Sequence, residues 1–396
     1  MILIDIFISI GILYINRYLM KQQYLTREER ARNLLENPNT HILRINDNHY
    51  QMKSLATNRI YDIYSTESGW NCSCPDHVYR KVVCKHALAI SLSIQLRQEV
   101  RERNKIVIEE ISCEKCPSCQ SSEIVKHGIR HNGNYDLQRY SCKVCRKRFS
   151  FNLGFEKMRV SPKVVTSAMQ LYFTGESLRN VQKFIRLQGV DVAHSTVYKW
   201  IKKYTELMKV HLDSIVPQVG DTWRADEVYV KVKGDKRYMF ALMDDETRFW
   251  IAQEVADSKF KHDARNLLRM GKEAMQVKPR VFITDGLPAY HDAFQKEYGA
   301  VKKGSPIHIR HISLDGDRNN NKMERLNGEF RDREKVMRGV KKKDSPIFDG
   351  SQIYHNYIRP HMALDGKTPS EACGIDVKGN DKWKTLIQNA SMKSDY

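Results

Sequence analysis

The chain lacks any apolar run long enough to cross a membrane. Its most apolar stretch, MILIDIFISIGILYI at residues 1–15, is interrupted by Asp5, and a spanning helix needs about 20 such residues. That stretch also lacks a charged segment before it and an A-x-A cleavage site after it, so it is expected to be a buried helix or an over-long start. Internal repeats and long low-complexity segments are missing too. Acidic charge is scarce: 47 Asp and Glu face 66 Lys and Arg, a net charge of +19. Such an excess attracts polyanions, and nucleic acid is the expected partner because each neutralised phosphate releases counterions. Cysteine is rare outside one window. Eight of the nine lie between Cys72 and Cys145, and Cys373 stands alone. Clustering of this kind, mixed with histidine, points to metal sites in a reducing compartment rather than to disulfides.

What is present is enough for several domains. The 396 residues are 41% hydrophobic and 29% charged, and a chain of this length builds roughly two to four domains. Composition divides it into an apolar N-terminal segment (1–35), a Cys- and His-containing module (36–105), a second Cys-rich module (110–152), a helical segment (160–208), a mixed strand and helix domain (215–375) and a tail (376–396). The stretch HYQMKSLATNRIYDIYS alternates apolar and polar residues and reads as strands.

Two sets of zinc ligands stand out. Cys72-x-Cys74 and Cys84-x-His86 are separated by nine residues, and two close pairs joined by a loop supply the tetrahedral geometry of a structural zinc site. His77 is a competing ligand. The spacing resembles the SWIM-type zinc finger, a family that binds DNA or proteins. In the second set, Cys116-Pro-Ser-Cys119 precedes Cys142-Lys-Val-Cys145 by 22 residues, the spacing of a zinc ribbon. Cys113 could pair with Cys116 instead, but Pro117 suits the tight knuckle turn. Lys126, Arg130, Arg139, Lys143, Arg146, Lys147 and Arg148 flank these cysteines.

Residues 160–208 fit a helix-turn-helix punctuated by Gly175 and Gly189. Ser195 is the expected N-cap of its last helix. Val197, Trp200, Ile201 and Tyr204 share the spacing of a buried face. Thr196, Tyr198, Lys199, Lys202 and Lys203 remain for DNA, as a recognition helix in the major groove would present them.

Three acids carry the candidate chemistry. Asp226 shares a strand face with Val228, Val230 and Val232, while Glu227, Tyr229 and Lys231 take the other face. An aspartate on an apolar face is costly unless something pairs with it, and a divalent cation would. Asp285 ends the strand of FITDG, where open α/β sheets place their sites. Glu324 lies on a predicted helix with Asn321 one turn before it and Arg331 two turns after. Glu329 and Glu334 are alternatives on that helix, and Asp244 and Asp245 read as turn residues.

The segments WRADEVYVKVKG, FITDGLPAY, NKMERLNGEFR and HNYIRPHMALDGKTPSEACG resemble the RNase H-like core of retroviral integrases and insertion-sequence transposases, and QRYSCKVCRKRFS resembles the ribbons that precede such cores. The resemblance covers residues 110–375. It implies a multidomain α/β protein: a mixed sheet with flanking helices, behind small zinc modules and a helix-turn-helix. It implies a DDE transposase that cleaves and joins DNA at element ends. Asp226 would bridge two Mg²⁺ or Mn²⁺ ions, Asp285 and Glu324 would flank them, and Arg331 would contact DNA. About two structural Zn²⁺ would complete the cofactors. The expected partners are double-stranded DNA, as element ends and target, and at least one further copy of the chain, with no membrane. The expected setting is the DNA of a prokaryotic cytoplasm. The alternative is a domesticated relative that binds DNA without strand transfer. A further rival is a SWIM-led protein-interaction module in residues 1–105.

Overall fold

The computed structural model describes residues 25–394 apart from 38–39, 56, 68, 133–134, 300–305, 311–319 and 338. The apolar stretch at residues 1–15 lies outside the described residues. Among those described, no helix is long and apolar enough to cross a membrane. The described residues divide into two units, one within 25–103 and the other within 104–394.

In the first unit, helix α1 (Arg27–Glu36) begins at a capping box in which Thr26 and Glu29 satisfy each other's backbone N–H groups. Four antiparallel strands follow in the order β1 (Ile42–Asn46), β2 (His49–Lys53), β3 (Ile60–Thr66) and β4 (Gly69–Cys72). Helices α2 (Pro75–Arg80) and α3 (Lys85–Arg103) complete the unit. Tyr50, Met52 and Ile63 pack with Ala87 and Ile90 in its core, together with Cys72, Cys74 and Cys84.

The second unit begins with β5 (Ile106–Ile108) and a three-stranded antiparallel ribbon of β6 (Ile124–His131), β7 (Asp136–Cys142) and β8 (Arg148–Ser150). Helices α4 (Pro162–Phe173), α5 (Leu178–Leu187) and α6 (His194–Leu212) come next. Ser161 and Ser177 cap the first two by accepting from Val164 N and Asn180 N. The third departs from expectation: its N-cap is Ala193 and no side chain caps it, so Ser195 lies inside the helix.

A five-stranded mixed sheet dominates this unit, in the order β11 (Trp250–Ala256), β10 (Asp235–Asp244), β9 (Thr222–Val232), β12 (Val281–Thr284), β13 (Ile307–Arg310). The first three run antiparallel, and β12 and β13 run parallel to β9. That order and sense make the RNase H-like sheet expected from the motifs. The β9–β10 hairpin turns at Lys233 and Gly234, both at positive φ (55° and 94°), the pairing a type I′ turn demands. Helices α7 (Lys261–Met275) and α8 (Pro288–Tyr298) pack together, and α7 lies on β10 and β11. Gly271 permits that approach, because a Cβ there would meet Leu242 Cδ2 at 2.3 Å. Helix α9 (Asn321–Met337) packs on β9 and is followed by α10 (Pro346–Ile353) and a π-turn at Tyr354–Ile358.

The segment expected to be a tail is folded. Strand β14 (Ile375–Val377) pairs in parallel with β5. After the short helix α11 (Pro369–Ala372), α12 (Lys382–Ser394) buries Trp383, Leu386 and Ile387 against α4 and α6. One apolar core thus joins the helical segment, the sheet and the C-terminal helix.

Candidate active site and zinc centres

The parallel register of β9 and β12 builds the acidic site. Phe282 pairs with Trp223 and Ile283 with Arg224. Two further steps along that register set Asp285, just past the end of β12, beside Asp226. Ligand oxygens of Asp226, Glu227 and Asp285 lie within 4.8 Å of one another. Asp226 Oδ1 accepts from Glu227 N at 2.9 Å, and Asp226 Oδ2 accepts from Asn327 Nδ2 at 2.8 Å. Leu287 N donates to Asp285 Oδ1 at 3.0 Å.

Strand alternation puts Glu227 on the opposite face, yet it joins the group. Lys259 Nζ donates to its Oε1 at 2.6 Å and Tyr290 Oη to its Oε2 at 3.3 Å. Glu324 stands on α9 with an exposed side chain and is outside that group of three, although its charge acts on Asp226. Glu329 and Glu334 are occupied elsewhere. Glu329 pairs with Arg359, and Glu334 accepts from Lys231 N at 2.7 Å. Arg331 is exposed on α9.

The electrostatics of this cluster follow from crowding in a partly desolvated cleft. Burial first, then the charge of Glu227, pushes Asp226 up to about 7, with Asp285 and Glu324 adding to the effect. Burial also raises Glu227, against the opposing pull of Lys259. A divalent cation would relieve the repulsion with hard oxygen ligands, so the donor set fits such an ion. The consequence is a pH dependence of fixed sign. An unfolded aspartate ionises near pH 4, whereas Asp226 keeps its proton until about pH 7. The stabilisation from the neutral carboxyl is therefore full below pH 4 and lost as pH rises toward 7. Zinc-loaded protein free of other divalent ions should lose thermal stability across that window, and Asp226→Asn should flatten the profile. Scanning calorimetry reads both, and a wild-type profile identical to that of the variant would refute the assignment.

Asp244 and Asp245 stand at the turn between β10 and β11, as expected, but they are not surface acids. Both are completely buried. Asp244 closes β10 and accepts from Thr247 N at 2.8 Å and Gly220 N at 3.0 Å. Asp245 pairs with the buried Arg224 guanidinium, while Lys322 Nζ donates to both its backbone oxygen and its Oδ1 at 2.9 Å. It ties β9, which carries Asp226, to α9, which carries Glu324.

Asn327 escapes sequence reasoning, although a signal exists. Met323, Leu326, Asn327 and Phe330 form the buried stripe of α9, and a lone amide in such a stripe needs a polar partner. Lys259, held 5.1 Å and 5.0 Å from the ring centres of Tyr229 and Tyr238, has no comparable signal. The closing HNYIRPH segment braces the sheet edge. Asn356 accepts from Trp250 N at 2.8 Å and donates to Trp250 O at 2.9 Å, much as a neighbouring strand would.

Both zinc sets converge. The ligand atoms of Cys72, Cys74, Cys84 and His86 lie within 4.8 Å of one another, as do those of Cys116, Cys119, Cys142 and Cys145. Cys84 Sγ is 3.9 Å from His86 Nδ1, and the Cys116–Cys145 and Cys119–Cys142 sulfurs are 3.5 Å apart. Four ligands about 2.3 Å from one zinc ion are separated by comparable edges, so both sets fit the ion. His77 turns instead to Val82 O and Asn71 Oδ1, and Cys113 is in neither set. Purified protein should contain about two zinc ions per chain, with Cys74→Ser and Cys142→Ser each removing one by elemental analysis. Folded, reduced protein without zinc would overturn both assignments.

On α6, Val197, Trp200, Ile201 and Tyr204 are buried. Tyr198, Lys199, Lys202 and Lys203 are exposed, with Thr196 half-buried at the helix start.

A family model described as a DDE domain matches residues 220–356, and one described as a SWIM zinc finger matches residues 64–95. The transposase for insertion sequence-like element IS431mec of Staphylococcus aureus is 28% identical over 159 residues, covering 39% of this chain and 68% of that protein. The chain carries a DDE domain of the insertion-sequence transposase kind and a SWIM zinc finger. The S. aureus transposase for insertion sequence element IS257 in transposon Tn4003 matches with the same identity and coverage. The HTLV-2 integrase catalytic core domain in complex with magnesium aligns at 15% identity and a TM-score of 0.28, over 40% of this chain and 98% of that one. By its DDE domain the chain is a polynucleotidyl transferase whose core calls for divalent metal, and its SWIM finger calls for zinc.

Proposed function

We propose that this transposase cleaves and joins double-stranded DNA at the ends of an insertion sequence, using Asp226, Asp285 and Glu324 to hold two Mg²⁺ or Mn²⁺ ions. The observation that carries this reading is the pair of aspartates set side by side by the β9–β12 register, crowded by Glu227 within a DDE domain. The bound ions would supply Lewis acidity and activate water, and later a DNA 3′-hydroxyl, for in-line attack at phosphorus. The protein's own part is positioning. Asn327 fixes the rotamer of Asp226 through its 2.8 Å bond. Lys322 and Asp245 hold the start of α9, and with it Glu324, against the sheet.

DNA is engaged by Thr196, Tyr198, Lys199, Lys202 and Lys203 on α6 and by Arg331 on α9, and synapsis of two element ends requires at least a dimer. The cellular setting is the DNA of a prokaryotic cytoplasm.

Full-length protein mixed with a duplex carrying the element ends should nick and join strands with Mg²⁺ or Mn²⁺, and should do neither when those ions are omitted. Lys199→Ala with Lys202→Ala should weaken end binding about tenfold and reduce the salt slope by about two, since each removes one phosphate contact. Binding without cleavage in either metal would leave a DNA-binding protein that has lost strand transfer. Unchanged end binding in the double variant would remove α6 from the reader role.

A further inference from the structure

The zinc ribbon carries a second basic surface that the recognition helix does not account for. Residues 124–150 contain seven Lys and Arg against one acid, Asp136. The register sorts these charges by face. Arg130 pairs with Leu137, Arg139 with Ser150, and Ser141 with Arg148. Directly paired residues share a face, as do residues two apart on a strand. Arg130 on β6, Arg139 on β7 and Arg148 on β8 therefore stand on the same face, each diagonal to the next. Diagonal neighbours of this kind lie about 7–8 Å apart. The row runs across all three strands rather than along one.

That face is open and carries no acid. Arg130 and Arg148 are exposed, Arg139 is half-buried, and Val125 on the same face is exposed. None of the three guanidiniums has an acidic partner among the described residues. The one acid faces the other way, where Asp136 is paired with His131 at 2.6 Å. That opposite face also carries Lys126, Ile129 and the stacked Tyr140–Phe149 pair. An extra residue at His127–Gly128 bulges β6, with Gly128 at φ 72° and its carbonyl held by Gln138 Nε2 at 2.9 Å. The bulge keeps Arg130 in phase with Arg139 despite that additional residue.

We infer that the Arg130–Arg139–Arg148 face of the ribbon docks on the sugar–phosphate backbone of double-stranded DNA. An arginine row with no protein counter-charge presents planar forks suited to bidentate phosphate contact. It reads charge and spacing rather than sequence, because phosphate contacts position a protein without specifying bases. This rests on the proposed action on DNA, and it adds a contact surface separate from α6.

The test is binding of full-length protein to a fluorescent element-end duplex across a salt series. The Arg130→Ala, Arg139→Ala, Arg148→Ala triple variant should bind at least about tenfold more weakly near physiological salt. Its slope of log K against log salt should be smaller by two to three, from roughly 0.9 for each phosphate no longer neutralised. The same loss is expected on a scrambled duplex of equal length. Lys126→Ala, on the opposite face, should retain nearly wild-type slope and affinity. Zinc content of the triple variant should equal the wild-type value, which separates a missing phosphate interaction from a misfolded ribbon. Wild-type slope and affinity in the triple variant would overturn the inference while leaving the transposase reading intact. A loss confined to the element-end sequence would also overturn it. Failure of the wild type to bind any duplex would sink the DNA reading itself.

Discussion

Asp226→Asn and Asp285→Asn should each lower strand cleavage by about a thousandfold or more while leaving folding and DNA binding intact. The two carboxylates are adjacent through the β9–β12 register and crowd one another, with Glu227 beside them. Removing a charged ligand forfeits several kcal/mol of transition-state stabilisation, and each 1.36 kcal/mol is a factor of about ten in rate. DNA binding should rise slightly in metal-free buffer, because a carboxylate near phosphate repels it. Glu324→Gln belongs with these two and should be equally inactive. Glu227→Gln should be milder, about tenfold, because Lys259 and Tyr290 already occupy its oxygens. The comparison is decisive because Glu227, not Glu324, completes the group of three in this structure. A Glu324→Gln enzyme cutting at the wild-type rate beside an inactive Glu227→Gln enzyme would reassign the third ligand to Glu227. Activity in all of these variants would defeat the mechanism.

The second large effect belongs to Asp245. Removing one partner of a buried ion pair costs roughly 3–5 kcal/mol, because the other charge is left without compensation. Arg224 is only 1% exposed and Asp245 not at all. Asp245→Ala should therefore lower the melting temperature by on the order of 10 °C. A calorimetric shift below about 2 °C would mean that the pair holds little together. Lys322→Met probes the same hub from its less buried side. It keeps the aliphatic stem but releases the start of α9 from Asp245. Turnover should fall about tenfold with unchanged end-binding affinity, because Glu324 is two residues further along. Equal losses in turnover and affinity would argue for general unfolding instead.

Much of the metal chemistry is legible in the sequence. Soft ligands at short spacing identify their own geometry, so Cys72, Cys74, Cys84 and His86 group by spacing, as do the ribbon cysteines. Both groups converge in space. Strand alternation likewise places Val228, Val230 and Val232 in the core, where they are buried. The capping of α6 is not legible in this way. Ser195 is a good N-cap by type, whereas the helix begins two residues earlier than that cap would set, at His194, with Ala193 as its N-cap. Helix ends depend on where packing lets the chain turn, and type alone does not fix that.

By itself, the sequence offered the two zinc-ligand sets, the helical segment and the acids Asp226, Asp285 and Glu324 as candidates, because each rests on residue type at short or periodic spacing, and the class of the protein came from its resemblance to known cores. Only the tertiary structure decided how those acids sit. The parallel pairing of β9 with β12 brings Asp226 and Asp285 together across more than fifty residues. The same pairing leaves Glu324 exposed outside their group and admits Glu227. Tertiary packing also made Asp245 a buried hub within its turn and placed Asn327 on Asp226. The C-terminal segment became part of the core for the same reason. Local pattern records which face a side chain takes on its own element. The identity of its neighbour depends on which distant strand or helix pairs there, and that choice is made by burial of the whole apolar surface at once.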